Sequence, residues 1–176
     1  MRANSSSDRM KPRVVIRPPE LPDQSEFIAR VLASRALHKP WVTAPSTQDQ
    51  FAAYVSRMQE PVNCGFVVCD AEEGGMVGVI NITNIVLGAF RSGYLSYYGF
   101  AGFERQGFMR AGLRQVVGHA FKSLKLHRLE ANIQPGNVAS ISLVRSCGFL
   151  KEGYSPRYLK INGRWCDHER WAILAS

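Results

Sequence analysis

The sequence lacks several features that would assign it to other classes of protein. Among its 176 residues, no apolar run approaches the ~18 residues of a membrane-spanning helix. The first residues, Met-Arg-Ala-Asn-Ser-Ser-Ser-Asp-Arg, lack the apolar segment of a signal peptide. The four cysteines, at positions 64, 69, 147 and 166, have neither zinc-site spacing nor a Cys-x-x-Cys motif. We therefore expect reduced cysteines, no metal site and a cytoplasmic protein without a membrane partner.

The sequence also has no cluster of charge of one sign. It contains 22 Lys and Arg against 14 Asp and Glu, a net charge of +8, but the basic residues are dispersed. No aromatic-basic motif of a nucleic-acid-binding protein is present, so direct nucleic-acid binding is not expected. The positive net charge favours an anionic ligand. The alternative, that the basic residues only form a solvated surface, stays open.

No internal repeat or second domain is visible, and the length is typical of one domain. Residues 1–11 are polar and rich in serine, which predicts a disordered tail ahead of a single domain at residues 12–176.

The first half of that domain alternates between strand and helix patterns. Phe27, Ile28, Val31 and Leu32 form the predicted inward face of its first helix. The predicted strands are Val14–Arg17, Gly65–Asp70, Met76–Ile85 and Tyr94–Tyr98, and the predicted helices are Gln24–Leu37 and Thr47–Met58.

A longer helix follows a glycine-containing turn. From Met109, apolar residues recur through Leu124 on one face of a 3.6-residue period. Gly107 lies in the turn that opens this helix, where unpaired backbone N–H groups and the helix dipole favour a phosphate or pyrophosphate. Three arginines, which suit bidentate phosphate contacts, flank this turn: Arg105, Arg110 and Arg114.

The second half ends in a capped helix and a hairpin. His127–Ile133 has the alternation of a strand, and Asn137 is a good N-cap for a short helix that ends at Gly148. Asn162-Gly163 is the strongest two-residue hairpin signal, and it joins Tyr154–Ile161 to Arg164–Leu174.

The order βααβββαβαββ predicts an α/β fold with a mixed, mostly antiparallel central sheet of about seven strands and flanking helices. Because the fourth and fifth strands are joined through a helix, we expect that pair to be locally parallel.

Six segments in this order resemble the GCN5-related N-acetyltransferase (GNAT) superfamily, in particular its RimJ/RimL-type branch of ribosomal-protein N-terminal acetyltransferases. The resemblance covers roughly residues 12 to 174. The segments are Leu37-His-Lys-Pro-Trp41, Gly88-Ala-Phe-Arg-Ser-Gly-Tyr-Leu-Ser-Tyr97, Leu126-His-Arg-Leu-Glu-Ala-Asn, Asn137-Val-Ala-Ser-Ile, Cys147-Gly-Phe-Leu-Lys-Glu-Gly153 and Ile161-Asn-Gly-Arg-Trp-Cys-Asp-His168.

The resemblance implies acetyl-CoA as cofactor and a sheet whose fourth and fifth strands splay apart around the pantetheine arm. It places backbone groups of Tyr97, Tyr98, Gly99 and Phe100 against pantetheine and the acetyl group. It places the turn and the first residues of the long helix against the pyrophosphate: Arg105, Gln106, Gly107, Phe108, Met109 and Arg110.

The same resemblance suggests three side chains near the reaction. Asn137 is similar to an Asn that reaches the cofactor, and Ser140 is similar to a proposed general acid that also lies at the cofactor. Glu130 is the candidate general base. The structural alternatives are that Asn137 and Ser140 only cap a helix and that Glu130 only pairs with Arg128 or Arg157.

The sequence departs from the family pattern in two places, the start of the phosphate turn and position 144. Glu104 and Arg105 occupy the start of the phosphate turn, where a carboxylate is unfavourable unless it points away or pairs with Arg105. Val144 stands where some relatives carry a tyrosine acid, so that tyrosine mechanism is excluded.

The implied activity is acetyl transfer to the α-amine of a protein or peptide N-terminus, with the ribosome as a candidate partner. Two alternatives stay open: acetylation of a small amine (a polyamine, an amino sugar or a peptide antibiotic), and a CoA- or RNA-binding protein without catalysis. An exposed edge strand and Trp171 raise a homodimer as a further expectation.

Overall fold

One sheet runs through the molecule, and the computed structural model describes it over residues 13–176. The tail predicted at residues 1–11 and Pro12 lie outside the described residues. The strands are β1 (Val14–Arg17), β2 (Cys64–Asp70), β3 (Met76–Val86), β4 (Ser92–Gly99), β5 (Arg128–Ile133), β6 (Leu150–Ile161) and β7 (Arg164–Leu174). Their order across the sheet is β1-β2-β3-β4-β5-β7-β6.

Five α-helices flank the sheet among the described residues, and a single turn of 3-10 helix, Leu21–Asp23, precedes the first of them. The helices are α1 (Gln24–Ala33), α2 (Arg35–His38), α3 (Gln48–Met58), α4 (Phe108–Lys122) and α5 (Val138–Ser146).

All neighbouring strands are antiparallel except β4 and β5, which are parallel and joined through α4. The predicted α/β class, with a mixed and mostly antiparallel seven-stranded sheet, is therefore confirmed.

Helix α4 packs on one face of the sheet because its apolar residues fall on one side. Leu113, Val116 and Ala120 are fully buried there, where α4 packs against β1, β2 and β3. Gly112 permits the close approach of helix and sheet, since a Cβ at this position would lie 2.8 Å from Cγ1 of Val68.

The opposite face of the sheet carries an aromatic cluster supplied by α1, α3 and the end of β4. Phe27 is fully buried, with ring centroids 4.6 Å from Phe51 and 5.9 Å from Phe100. Contacts of this kind add to the area that the rings bury. The sheet therefore has a separate core on each face, and the ends of β4 and β5 lie between them.

The predicted N-cap of α5 at Asn137 and its end at Gly148 are confirmed, and α3 has an N-cap of the same kind at Thr47. Thr47 accepts a hydrogen bond from Gln50 N at 3.3 Å, and Asn137 accepts one from Ser140 N at 3.1 Å. Gly148, at φ 93°, ends α5 in a Schellman motif in which Phe149 N donates to Val144 O at 3.1 Å.

Two element boundaries differ from the prediction. The first helix ends at Ala33, because Ser34 Oγ donates to Arg30 O at 2.6 Å and accepts from Ala101 N at 2.9 Å. Leu32, predicted to face inward, is 41% exposed. Strand β6 begins at Leu150 rather than Tyr154, because the chain pairs with β7 as soon as it leaves the helix.

The Trp171 side chain does not form an outer surface, so that part of the argument for a homodimer is wrong. Trp171 is 2% exposed, its indole N–H donates to Glu169 at 3.0 Å, and the guanidinium of Arg145 lies 5.0 Å from its ring. Within residues 13–176, none of the helices has the length and apolarity needed to cross a membrane.

Candidate active site

Strands β4 and β5 are paired only along their first residues. Four parallel pairs run from Ser92↔Arg128 to Leu95↔Ala131, although both strands continue beyond them. The gap that follows is part of a cleft of about 1590 Å³. The predicted splay of the fourth and fifth strands is therefore confirmed.

The turn before α4 places backbone N–H groups at one end of this cleft. Gly107, the N-cap of α4, has φ 88° and ψ −1°, a left-handed conformation that glycine adopts at little cost. Ala111 N donates to Gly107 O at 3.0 Å, so the N–H groups of Phe108, Met109 and Arg110 have no partner within the helix. These donors and the positive end of the helix suit a phosphate.

Charged side chains of the turn are arranged consistently with an anionic ligand. Arg105 and Arg110 line the cleft. The carboxylate of Glu104 accepts a hydrogen bond from the N–H of Gly102 at 2.7 Å, so it stabilises the turn. Arg114 is not among the described lining residues, because its guanidinium donates to Ser146 O at 3.0 Å.

The free edge of β4 supplies further backbone groups. Phe100 N donates to Val77 O at 2.9 Å, and because hydrogen-bonded pairs alternate along an antiparallel ladder, the backbone of Tyr98 also faces β3. The backbone groups of Tyr97 and Gly99 face the gap, where Gly99 O lies 2.9 Å from His38 Nε2. Pantetheine contacts were predicted for the backbone groups of Tyr97, Tyr98, Gly99 and Phe100. Those of Tyr98 and Phe100 face β3, so the backbone groups free for pantetheine are those of Tyr97 and the N–H of Gly99.

Most of the predicted cofactor residues are brought together by the fold. The side chain of Phe108 does not line the cleft, because its ring packs against Phe103 with centroids 5.6 Å apart, but its backbone N–H is one of the free donors of the turn. The others line the cleft: Tyr97, Tyr98, Gly99, Phe100, Arg105, Gln106, Gly107, Met109, Arg110, Asn137 and Ser140.

Asn137 and Ser140 have the capping role and also face the cleft. The Asn137 side-chain oxygen caps α5 through Ser140 N, while Ser140 Oγ lies 2.6 Å from the hydroxyl of Tyr97. Burial raises the pKa of Tyr97 well above its usual value, although the Ser140 hydrogen bond lowers it somewhat. The Tyr97 hydroxyl therefore keeps its proton. One proton of the pair lies between the two oxygens, so the pair presents a single free O–H donor rather than an anion.

Glu130, the predicted general base, lies in the paired part of β5 opposite Tyr94. Its carboxylate accepts a hydrogen bond from Arg128 Nε at 2.7 Å, and Arg128 also holds Glu152. Glu130 is not among the described residues that line the cleft. The ion pair named as the structural alternative is present, and the role of Glu130 as base stays a prediction.

The outer wall of the cleft joins two loops that are far apart in the chain. Thr43 Oγ1 donates to Asn162 Oδ1 at 2.8 Å, which links the segment after Leu37–Val42 to the β6–β7 hairpin turn. In that turn Asn162 and Gly163 have φ of 49° and 79°, as the Asn-Gly signal predicts. Residues 87–93, which follow β3 and include the start of β4, contribute none of the described lining residues.

Two residues of the cleft were missed as functional candidates. Asn132 and His168 both line it. The sequence placed Asn132 on the polar face of β5, and that alternation was the available signal. His168 is 2% exposed, and its Nδ1 lies 2.9 Å from Cys166 O. Across residues 13–176, no group of three or more His, Cys, Asp or Glu side chains is arranged to hold a metal ion.

Comparison with known proteins identifies relatives over most of the chain. Residues 13–150 match the acetyltransferase (GNAT) domain family. YjcK of Bacillus subtilis, a probable N-acetyltransferase, is 28% identical over 169 residues, which cover 92% of this chain and 93% of that protein. The [ribosomal protein uS5]-alanine N-acetyltransferase of Escherichia coli is 36% identical over 108 residues, covering 61% of this chain but only 56% of that enzyme.

A spermidine N(1)-acetyltransferase of Vibrio cholerae is also similar, with 27% identity over 154 residues that cover 85% of this chain and 87% of that enzyme. Among solved structures, RimJ of Mycobacterium smegmatis in complex with CoA-disulfide superposes with a TM-score of 0.85 at 28% identity, over 92% of this chain and 82% of that one. The chain thus belongs to the GNAT acetyltransferase family, in its RimJ/RimL-type branch, and is an N-acetyltransferase.

Proposed function

We propose that this N-acetyltransferase modifies the α-amine of a protein N-terminus, with a ribosomal protein as the target class. The observation that carries the proposal is the charge of the cleft. Among the described lining residues, Glu104 is the only carboxylate, and it is engaged by Gly102 N–H. Four lining residues are cationic: Arg57, Arg105, Arg110 and Lys160.

This balance of charge discriminates between amine acceptors. A polyamine carries several positive charges. With Arg105 and Arg110 engaged by the pyrophosphate, the described lining of the cleft still presents Arg57 and Lys160 and no free carboxylate to hold those charges. A peptide N-terminus brings a single amine on a chain that is otherwise neutral or of varied charge. The α-amine of a peptide ordinarily has a pKa of about 8, so only modest assistance is needed to deprotonate it.

The similarity to uS5-alanine N-acetyltransferase and to RimJ supports the same acceptor class. The similarity to a spermidine acetyltransferase supports a second candidate, a small-molecule amine. Protein acetylation of this kind implies a cytoplasmic enzyme that meets its substrate on or near the ribosome.

Acetyl-CoA, when bound, supplies an acetyl thioester. The residues of the turn fit its pyrophosphate, because the free N–H groups at the start of α4 and the side chains of Arg105 and Arg110 converge at one end of the cleft. The backbone edge at Tyr97 and Gly99 fits the pantetheine arm. Asn137 caps the start of α5 and lines the same cleft.

The hydrogen-bonded pair of Ser140 and Tyr97 is the donor that we assign to the leaving sulfur, through the one O–H that the pair leaves free. Their hydroxyl groups are 2.6 Å apart, and both residues line the cleft. Both hydroxyls stay protonated near neutral pH, so the pair stabilises negative charge on sulfur by hydrogen bonding.

An acetyl-CoA turnover assay with mass detection tests the acceptor class. The panel contains short peptides with free Ala, Ser or Met N-termini, copies with blocked N-termini, and small amines that include spermidine. We expect acetylation of the free peptides and not of the blocked copies. Turnover of small amines alone would overturn the proposal in favour of the second candidate.

A further inference from the structure

Two buried side-chain atoms among the described residues have no hydrogen-bond partner within the protein, the hydroxyl of Tyr98 and Oδ1 of Asn132. Both residues line the cleft. Buried polar atoms without partners are uncommon, because leaving one unpaired costs roughly 1–3 kcal/mol. The two unpaired atoms lie in one cleft, on the two strands that diverge. This placement indicates that a ligand forms hydrogen bonds there.

Asn132 lies where β5 has separated from β4 but is still paired with β7. The last parallel pair is Leu95↔Ala131, one residue earlier, whereas Asn132 lies opposite Arg170 on β7. Directly opposed residues share a face of the sheet, and alternate residues of a strand point the same way. His168, two residues from Arg170, therefore lies on the same face as Asn132.

The imidazole of His168 is held in one tautomer. Nδ1 lies 2.9 Å from Cys166 O, and since a carbonyl oxygen only accepts, Nδ1 carries the proton. Nε2 is then the nitrogen with a free lone pair. Tyr158 packs edge-on against the ring with centroids 6.1 Å apart, which fixes its orientation.

This face of the sheet is opposite to the one that packs against α4. Ala131 and Ile133 belong to the core beneath α4 and α5, so Asn132 between them points to the other side. The phosphate-binding turn belongs to α4. An acceptor that approaches from the Asn132 side meets the cofactor in the gap without competing for its binding site.

We propose that Asn132 and His168 form the acceptor-amine subsite, in which Asn132 Oδ1 accepts an N–H of the amine and His168 Nε2 removes its proton. This inference rests on the proposed acetyl transfer to an amine, and it specifies which side chains receive that amine.

The proton and electron balance of the step is complete. An acceptor ammonium loses one proton to His168 Nε2, and the freed lone pair of nitrogen forms a bond to the acetyl carbonyl carbon. The carbon–sulfur bond breaks with its electron pair on sulfur. The second proton lost by nitrogen neutralises that sulfur, and His168 releases its proton to solvent.

The test uses the full chain, four variants of the subsite and one control variant. Asn132→Leu removes the acceptor oxygen at nearly constant size, whereas Asn132→Asp keeps acceptor oxygens. His168→Gln keeps a hydrogen-bonding side chain that is not a base, and His168→Ala leaves space for added imidazole. His127→Ala is the control, because His127 is an exposed histidine that does not line the cleft.

Each variant is assayed with the best amine that the wild-type enzyme accepts, and its acetyl-CoA affinity is measured by calorimetry. We expect Asn132→Leu to raise the acceptor KM roughly tenfold or more while Asn132→Asp does not. We expect both His168 variants to lower kcat about 100-fold, and imidazole to restore part of it in His168→Ala only. Acetyl-CoA affinity should change little in all of them.

A second readout does not require turnover. A CoA–peptide conjugate that joins sulfur to the amine nitrogen should bind more tightly than CoA to the wild type, and Asn132→Leu should remove most of that gain. Unchanged kcat, KM and conjugate affinity in well-folded variants would overturn the subsite assignment. If the wild type ignores peptides but acetylates a small amine, the proposed acceptor class fails, and the same variants still decide the subsite with that amine.

Discussion

Gly107 is the residue whose backbone conformation matters most for the cofactor turn. Its φ of 88° lies in the region where a side chain is strained, and its position sets the direction of the free N–H groups of α4. We expect Gly107→Ala to weaken acetyl-CoA binding roughly tenfold, since strain of about 1 kcal/mol displaces those donors. Isothermal titration calorimetry measures the effect.

Gly74 provides a matched control for this substitution. It has φ 78° and lies in the β2–β3 turn, where nothing would contact an added Cβ. Gly74→Ala should cost similar backbone strain without changing acetyl-CoA affinity. Equal affinities of the two variants would contradict the assignment of the turn.

Ser140 combines a structural and a chemical role that substitution separates. Its backbone N–H, not its side chain, takes part in the α5 cap, whereas its hydroxyl pairs with Tyr97. Ser140→Ala should therefore leave the melting temperature nearly unchanged and lower kcat about tenfold or more, because a donor to the leaving sulfur is lost. A variant with wild-type kcat would leave Ser140 with no role beyond its backbone.

At the level of elements, the N-cap of α5 links helix stability to the cleft. Removing the Asn137 side chain should destabilise the protein by about 1 kcal/mol, because Ser140 N loses its partner. Thr47→Ala removes the equivalent cap of α3, which lies elsewhere in the molecule. Urea unfolding should show similar losses for both, and only Asn137→Ala should also weaken acetyl-CoA binding.

The ion pair that joins β1 to the first helical turn should make stability depend on pH. Burial alone would raise the pKa of Asp23, but hydrogen bonds from Arg17 at 2.7 Å and from Glu20 N at 2.8 Å lower it overall. A carboxyl whose pKa is lower when folded stabilises the protein above its unfolded pKa of about 4 and loses that contribution as the pH falls.

Asp23→Asn therefore should cost about 1 kcal/mol at pH 7, a modest value because Arg17 is partly exposed. The difference from wild type should shrink between about pH 5 and pH 3. Urea unfolding across this range provides the measurement, and a constant difference would contradict the linkage.

The helices, caps and turns that depend on residues close in the sequence could be predicted. Features that depend on contacts between distant parts of the chain could not. The periodic apolar residues of α4, the Asn137 cap and the Asn162-Gly163 turn each depend on neighbours within a few positions. Ser34 ends α1 through a bond to Ala101 N, a contact that no local pattern reveals. The position of His168 in the cleft could not be predicted locally either, because it depends on the pairing of β7 with β5.

For the whole molecule, the net charge of +8 and the cationic cleft predict that acetyl-CoA binding depends on salt. At a concentration 100 times its Kd, acetyl-CoA should stabilise the fold by about 2.7 kcal/mol, which corresponds to a rise in Tm of roughly 5–10 °C. The rise should diminish as NaCl increases. S-acetylpantetheine, which lacks the phosphates, should show little salt dependence, and equal salt dependence of both ligands would contradict the phosphate site.

Strand β7 lies between β5 and β6, although it follows both of them in the chain. While the protein is being synthesised, β5 therefore has no neighbour on that side until Arg164–Leu174 has left the ribosome and inserted. The turn of α4 can form earlier, but the wall that carries His168 cannot. A nascent chain would thus reach its phosphate-binding turn before its acceptor wall, and a truncation before Arg164 would remove that wall entirely.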